Sequence, residues 1–445
     1  MVGIMRIVIN KKGYLYRLVF LILIVMTLIA CRGGSTTREK IDDKENKLFG
    51  TIRIWCSERS KESIKNSVML FKQKYPKLVI EVTALSEKEI QSKLNRKDIS
   101  DDDFPHIIEI GSYDIANMVE SYPDFFVPVD SIMENRRDKF LSWKLEEMTY
   151  EEKIYAFPWD IEPKILIYNR KLAKEYNIST FDIKTWLEFS NLGFLIKKQT
   201  SNNLKLIALK ENVDGNLYKS MLRQFRKGLY SKGNYINLPE ENKKVLSTIR
   251  GMYSEGMVYT LKKEEDPLEV LKEGKVLCIL GDSSDVSRLN RETEFKDFQW
   301  EVQNLPAFEY GGKRMVYGEG NALMLTKKSE SNNGAVEFLN FLLTDSESVT
   351  YSLKEAGIIP SIPILYNLSE FNINSNNYQN MKLWRFMAEQ SKEEEALLYD
   401  HRYEVIEKQL IQMEQAAIEG RDIETLITTE EKELNKMMDV EFKKN

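Results

Sequence analysis

Within FPWDIEPKILIYNRKL, residues 157–172, an indole and two carboxylates stand directly ahead of a strand-like KILIYN: Trp159, Asp160 and Glu162. Side chains alternate along an extended backbone, so Asp160 and Glu162 share one face while Trp159 and Ile161 share the other. Carboxylates beside a flat ring suit three kinds of chemistry. They can act as acid and base on a glycosidic bond, accept hydrogen bonds from a hydroxyl-rich ligand, or simply solvate a sheet edge. Catalysis has little else to draw on here. The two histidines, His106 and His401, stand alone with no second His or Cys pair, so no metal site is expected. No Gly-x-Ser-x-Gly elbow occurs, and no histidine is placed to activate a serine or cysteine. The chain is read as a non-enzyme that needs no cofactor.

A chain of 445 residues, 42% of them hydrophobic, is long enough for two domains with cores of their own. Its formal charge of -5 becomes -9 once the four cations of the first thirty residues, Arg6, Lys11, Lys12 and Arg17, are set aside. An acidic body of this kind excludes binding to a nucleic-acid backbone, which needs clustered Lys and Arg.

The basic start leads into the apolar run Leu18–Ala30, too short to span a bilayer comfortably but suited to the core of a signal peptide. The run ends in Leu28-Ile29-Ala30-Cys31, which resembles the lipobox of bacterial lipoproteins. That resemblance implies cleavage after Ala30 and a diacylglycerol on the Cys31 sulfur, with two acyl chains forming a stable anchor. Residues 1–30 are therefore expected to be a signal peptide. Residues 31–47, polar and without apolar periodicity, form the lipidated cysteine and a flexible tether. Cys56 and Cys278 remain, either as a disulfide or as two buried thiols in separate cores.

Beyond the tether, short apolar strands alternate with amphipathic helices. GTIRIWC, LVIEVTAL and HIIEIG read as strands. Between them lie SIKNSVMLFKQKY, with Ile64, Val68, Phe71 and Tyr75 at helical spacing, and SEKEIQSKL. Such alternation predicts a parallel sheet with ligands at the carboxyl ends of its strands, where WCSERS and EIGSYD lie. A second block follows from KILIYN through LKLIALK, a helix over 239–254 and KVLCIL to about Leu305. NALMLT is a further short strand. The remainder is largely helical, with Val405, Gln409, Gln412 and Met413 placed near one face of a late helix.

Several of these stretches, in this order, resemble the extracellular solute-binding proteins of ABC importers, in particular the maltose- and oligosaccharide-binding family. The crossover FPWDIEPKILIYN carries the family's Tyr-Asn, here Tyr168 and Asn169. LKEGKVLCILGD, the helix pair in GAVEFLNFLLTDSESVTYSLKEAGIIPS with Gly357 and Pro360, and the terminal GRDIETLITTEEKEL are similar to family motifs. KTWLEF resembles a helix start of the family but lacks its usual preceding proline, and His106 stands where the family often has Asp. The resemblance implies an α/β, two-lobed periplasmic-binding-protein-like fold of class II, with a ligand cleft between lobes joined by hinge crossings. The first lobe would hold residues 48–161 plus 326–360, the second 163–325 plus 361–445. Cys56 and Cys278 would then sit in different lobes, where a disulfide would freeze the hinge, so free thiols are expected.

Sugars offer hydroxyl rims and weakly apolar faces, so their sites combine carboxylates with flat rings. The resemblance places Ser57, Glu58, Tyr113 and Asp114 on the first lobe, and Trp159, Asp160 and Glu162 at the hinge. Tyr218, Asp282 and Ser283 fall on the second lobe, with Tyr317 and Glu319 near the return crossing. Glu162 falls where a maltose-binding protein places a ligand carboxylate, and Asp114 resembles the family's cleft aspartate. The function implied is capture of an extracellular solute, an oligosaccharide by preference, and its delivery to permease subunits in the membrane. The protein would be a monomer held by its lipid on the outer face of the cytoplasmic membrane. Abundant Lys, Ile and Asn with few Ala suggest a low-GC Gram-positive source. The competing expectations are an extracellular glycoside hydrolase and a ligand-sensing domain feeding a membrane receptor.

Overall fold

Among the described residues two large sheets, each flanked by helices, are built from interleaved parts of the chain. The computed structural model describes residues 48–96, 103–225, 230–231, 234–235, 239–399 and 401–442. The expected signal peptide, Cys31 and the tether lie outside the described residues, as does most of the acidic loop at 100–103. Gly50–Asn445 form one compact unit.

The first sheet runs in the order Leu78–Ala84, Gly50–Cys56, Ile107–Gly111, Asn321–Leu325 and Ala156–Pro158. Its first three strands are parallel and the last two antiparallel to their neighbours. The central strand Ile107–Gly111 is buried along its whole length, which explains its unbroken apolar character apart from Glu109. The helix Glu58–Lys74 starts five residues earlier than the apolar spacing alone predicts, because Ser57 caps it by accepting the Ser60 N–H. Its buried face, Ile64, Val68 and Phe71, meets Phe338 and Phe341 of the helix Asn333–Thr344 through ring centroids 5.3 Å from that of Phe71.

The second sheet runs in the order Val258–Leu261, Lys205–Lys210, Val276–Gly281, Pro163–Asn169 and Trp300–Asn304, with Val316–Tyr317 also paired to Pro163–Asn169. Every residue of PKILIYN is buried. Asn169 closes this strand with both ends of its amide: the oxygen accepts the Leu172 N–H to cap the next helix, and Nδ2 donates to the Leu271 carbonyl at 2.9 Å. The helices Tyr403–Ile418 and Ile423–Phe442 pack into the same core through Ile406, Leu410, Met413, Ala417 and Ile423. Of the expected face, Met413 is buried as placed, whereas Val405 is exposed and Ile406 takes the inward position.

Two crossings between the sheets pair with one another, Asp160–Ile161 running antiparallel to Ile359–Pro360. The third differs from expectation. Asn321–Leu325 registers against Ile107–Gly111 and Ala156–Pro158 and so belongs to the first sheet, placing the return crossing at 318–320 instead of 325–326. Four consecutive apolar residues from Ala322 need burial on both faces, and the turn ahead of them uses Gly320 at φ +62°. Cys56 and Cys278 are free, buried thiols on different sheets, with burial raising the Cys56 thiol to about 12.

Candidate functional site

The carboxyl ends of the first-sheet strands open into a cavity of about 470 Å³ lined by Ser57, Glu58, Glu87, Glu109 and Asn321. Ser57 is held there by Glu109, whose Oε2 accepts the Ser57 N–H at 2.8 Å and whose Oε1 accepts the Ser60 hydroxyl at 2.7 Å. Burial raises the Glu109 carboxyl even against those bonds. Glu58 is exposed at the rim and pairs with Lys61 at 3.0 Å. Tyr113 lays its ring over Gly111, where a Cβ would stand only 2.4 Å from it, and donates its hydroxyl to Glu87 at 2.6 Å. Asp114 is buried, accepts a bond from Asn117 at 2.7 Å, and is raised by burial to about 6.

At the hinge, Asp160 is fully buried: Oδ1 accepts the Asn321 N–H and Oδ2 lies 3.4 Å from the Arg59 guanidinium. Arg59 also donates to the Ala356 carbonyl at 3.1 Å. Glu162 forms an ion pair with Lys164, whose ammonium stands 3.9 Å from Asp282. Burial raises Glu162 more than Lys164 lowers it. Burial also pushes Asp282 upward, but Lys164, Arg59 and the Ser284 N–H outweigh it and hold that carboxyl at about 2. Asp282 is the cap of the helix Ser283–Arg291.

On the second sheet, Lys164, Asp282, Asp285, Asp214 and Glu414 line a cavity of about 190 Å³ beyond the ends of Lys205–Lys210 and Val276–Gly281. Beside it, Glu319 accepts from Lys219 at 3.1 Å and from the Tyr403 hydroxyl at 3.0 Å. Burial opposes its ionisation, yet Lys219 and Lys164 hold it at about 2. Tyr403 meets Tyr113 with ring centroids 5.8 Å apart, so the two sheets' walls touch through a pair of aromatic rings.

Ser57, Glu58, Tyr113, Asp114, Asp160, Glu162, Asp282 and Glu319 thus gather around the walls and hinge. Four expected residues are not brought there as ligand groups. Trp159 packs against Leu342, Val349 and Ile358 on the far side of the crossing, as strand alternation requires. Tyr218 is fully buried and donates to Asn242 at 2.5 Å. Tyr317 donates to the Met387 carbonyl at 2.7 Å from within the second-sheet core. Ser283 is fully buried, its carbonyl pressed against Gly357.

Sequence reasoning passed over Arg59, Glu109, Lys164, Lys219 and Tyr403. A usable signal existed for two of them, because Glu109 and Lys164 are single charges within otherwise apolar strands. Both histidines meet other protein groups. His106 is buried with Nδ1 accepting the Arg53 N–H at 3.1 Å, and burial lowers it to about 4, while His401 meets Glu120 at 2.8 Å.

Glu414 gives the site a pH dependence. It is 3% exposed, and burial with Asp214 nearby raises it to about 8 against the opposing pull of Lys219. An unfolded glutamate titrates near ~4.3, so the folded chain holds this proton more tightly and the resulting stability is complete below that pH. It is lost as pH rises through about 8. Guanidinium unfolding from pH 5 to 9 should show the protein losing stability relative to Glu414→Gln across that range; parallel curves would contradict the assignment.

Comparison with known proteins places these features in a family context. A family described as bacterial extracellular solute-binding proteins matches residues 68–379. The arabinooligosaccharide-binding protein of Bacillus subtilis (strain 168) is 22% identical over 330 residues, covering 72% of this chain and 75% of its own. The sugar-binding protein MalE of Xanthomonas citri superposes with a TM-score of 0.72 at 16% identity, covering 88% of this chain and 98% of that one. Maltose-bound MalE3 of T. maritima gives a TM-score of 0.69 at 18% identity, covering 87% and 99%. The fold is the two-lobed one of these binding proteins.

Proposed function

Because the chain belongs to the bacterial extracellular solute-binding protein family, we propose that it captures an oligosaccharide outside the cell and passes it, unaltered, to the permease subunits of an ABC importer. One observation carries the reading: two cavities lined by carboxylates and hydroxyls, each at the carboxyl ends of one sheet, belong to sheets joined by paired crossings and meeting through Tyr113 and Tyr403. Binding energy gained when both walls hold one guest draws the lobes together, and the closed form is what a permease recognises. The lipid on Cys31, the monomeric state and the position on the outer face of the membrane belong to the same proposal.

Hydrolysis fits the hinge less well. A glycosidase needs two carboxyls free to exchange protons, whereas Asp160 is engaged by a backbone N–H and a guanidinium. Glu162, which the resemblance puts at a ligand carboxylate's position and which lies beside Lys164 and Asp282, is the carboxylate we take to accept a hydroxyl from a guest. Replacing it with Gln should weaken oligosaccharide binding by about 1–3 kcal/mol, because a charged acceptor in a largely buried site becomes a neutral one. Titration calorimetry on Glu162→Gln beside the unaltered protein checks this. Equal affinity of the two would remove Glu162 from the site.

A further inference from the structure

The second-sheet cavity contains more carboxyls than its own lysines pair with among the described residues. Lys210 is committed to Asp214 at 2.8 Å, and Lys164 is paired with Glu162. Asp285 holds the Asp282 N–H at 3.2 Å, and no ion pair reaches it or Glu414 among the described residues. Glu414 is 97% buried on the 3% exposure given above, lines the cavity, and has no hydrogen-bond partner for its Oε2. The Tyr253 hydroxyl, on the neighbouring helix Pro239–Ser254, lines the same space and is likewise unpartnered. Buried polar atoms without partners are uncommon because each forfeits the bond that water would have made. Two such atoms facing one cavity, with a surplus of carboxyls around them, mark a place for a polar guest.

An ammonium suits this lining: three N–H donors on a single positive centre can meet the carboxyl and hydroxyl oxygens together and draw Glu414 to its ionised form. Among the described residues no group of three His, Cys, Asp or Glu is arranged to hold a metal ion, so a bare divalent cation is not the complement. The volume, about 190 Å³, exceeds a single water's share of ~30 Å³ several-fold and leaves room for the unit that carries the amine.

We propose that this cavity is a subsite for a protonated primary amine on the guest, held between Glu414, Asp285 and the Tyr253 hydroxyl. The inference rests on the solute-capture reading and narrows it from neutral oligosaccharides to amine-bearing guests, an amino sugar unit being the form consistent with a saccharide.

Calorimetry on the full-length protein in detergent tests it with three probes: a β-1,4-linked glucosamine trimer, the glucose trimer of the same linkage, and spermidine as an amine without a sugar. The expected result is that an amine probe binds at least tenfold more tightly than the neutral trimer, and that Glu414→Gln removes this preference. Tyr253→Phe should lower amine affinity severalfold. The selectivity of the unaltered protein decides the matter even if Glu414→Gln does not fold. Binding of the neutral trimer with no amine preference would overturn the subsite and leave oligosaccharide capture standing. Binding of spermidine alone would support the subsite and overturn the saccharide reading. Failure of every amine probe to bind would overturn the subsite.

Discussion

Replacing Gly357 with alanine should destabilise the protein by about 2–5 kcal/mol, the sum of two separable effects. Gly357 ends the helix Ser346–Ala356 at φ +65°, a left-handed conformation that costs an alanine roughly 1–2 kcal/mol. A Cβ there would also stand 2.1 Å from the Ser283 carbonyl oxygen and 2.7 Å from the Ser284 nitrogen, backbone atoms at the start of the helix Ser283–Arg291. Neither helix can yield by a rotamer change, so the contact must open. Gly420 provides the reference, since its φ of +94° imposes the conformational part with nothing within 4 Å of an added Cβ. Urea unfolding of Gly357→Ala and Gly420→Ala should therefore differ by about 1–3 kcal/mol, the overpacking part alone. Equal losses at the two positions would show that the Gly357 contact is loose.

The second large effect lies where the return crossing meets both walls. Lys144 and Glu147 have no exposed side-chain surface and pair at 3.0 Å. The Lys144 ammonium also donates to the Ser112 hydroxyl at 2.7 Å and to the Glu319 carbonyl, tying the end of a first-sheet strand to the crossing. Glu147 accepts the Leu397 N–H at 3.1 Å and faces Arg223 at 3.8 Å. Removing one member of a buried pair strands the other, which costs about 3–5 kcal/mol, whereas removing both is far milder. Lys144→Met should accordingly lower the unfolding free energy by that amount, and Lys144→Met with Glu147→Leu should recover most of it. A single variant as stable as the parent would mean that Arg223 alone satisfies Glu147 once Lys144 is gone.

Local pattern carried the elements and their order, because strand and helix periods are written into neighbouring residues. The helix over 239–254 has the bounds its spacing predicts, and KILIYN is a strand buried throughout. The crossing at 318–320 was not legible, since NALML reads as an apolar strand whichever sheet receives it and only its pairing partner decides. The same limit divides the site residues. The resemblance put Glu162 and Asp282 in the site and Lys164 brings the two together, but whether Trp159, Tyr218 or Tyr317 faces a guest or a core depends on helices far away in sequence. Aromatic rings near strand ends satisfy either environment, so type alone could not choose. Tyr403, the ring that does meet the opposite wall, sits late in a helix start that carries no motif.

Capture without chemical change is the central claim, and a calorimetric titration of the full-length protein against a length series of oligosaccharides tests it most directly. The account predicts heats that saturate at one sugar per chain for at least one member and then fall to the dilution baseline. A steady heat flow that continues after mixing, as turnover gives, or no binding heat for any saccharide in the series, would contradict it.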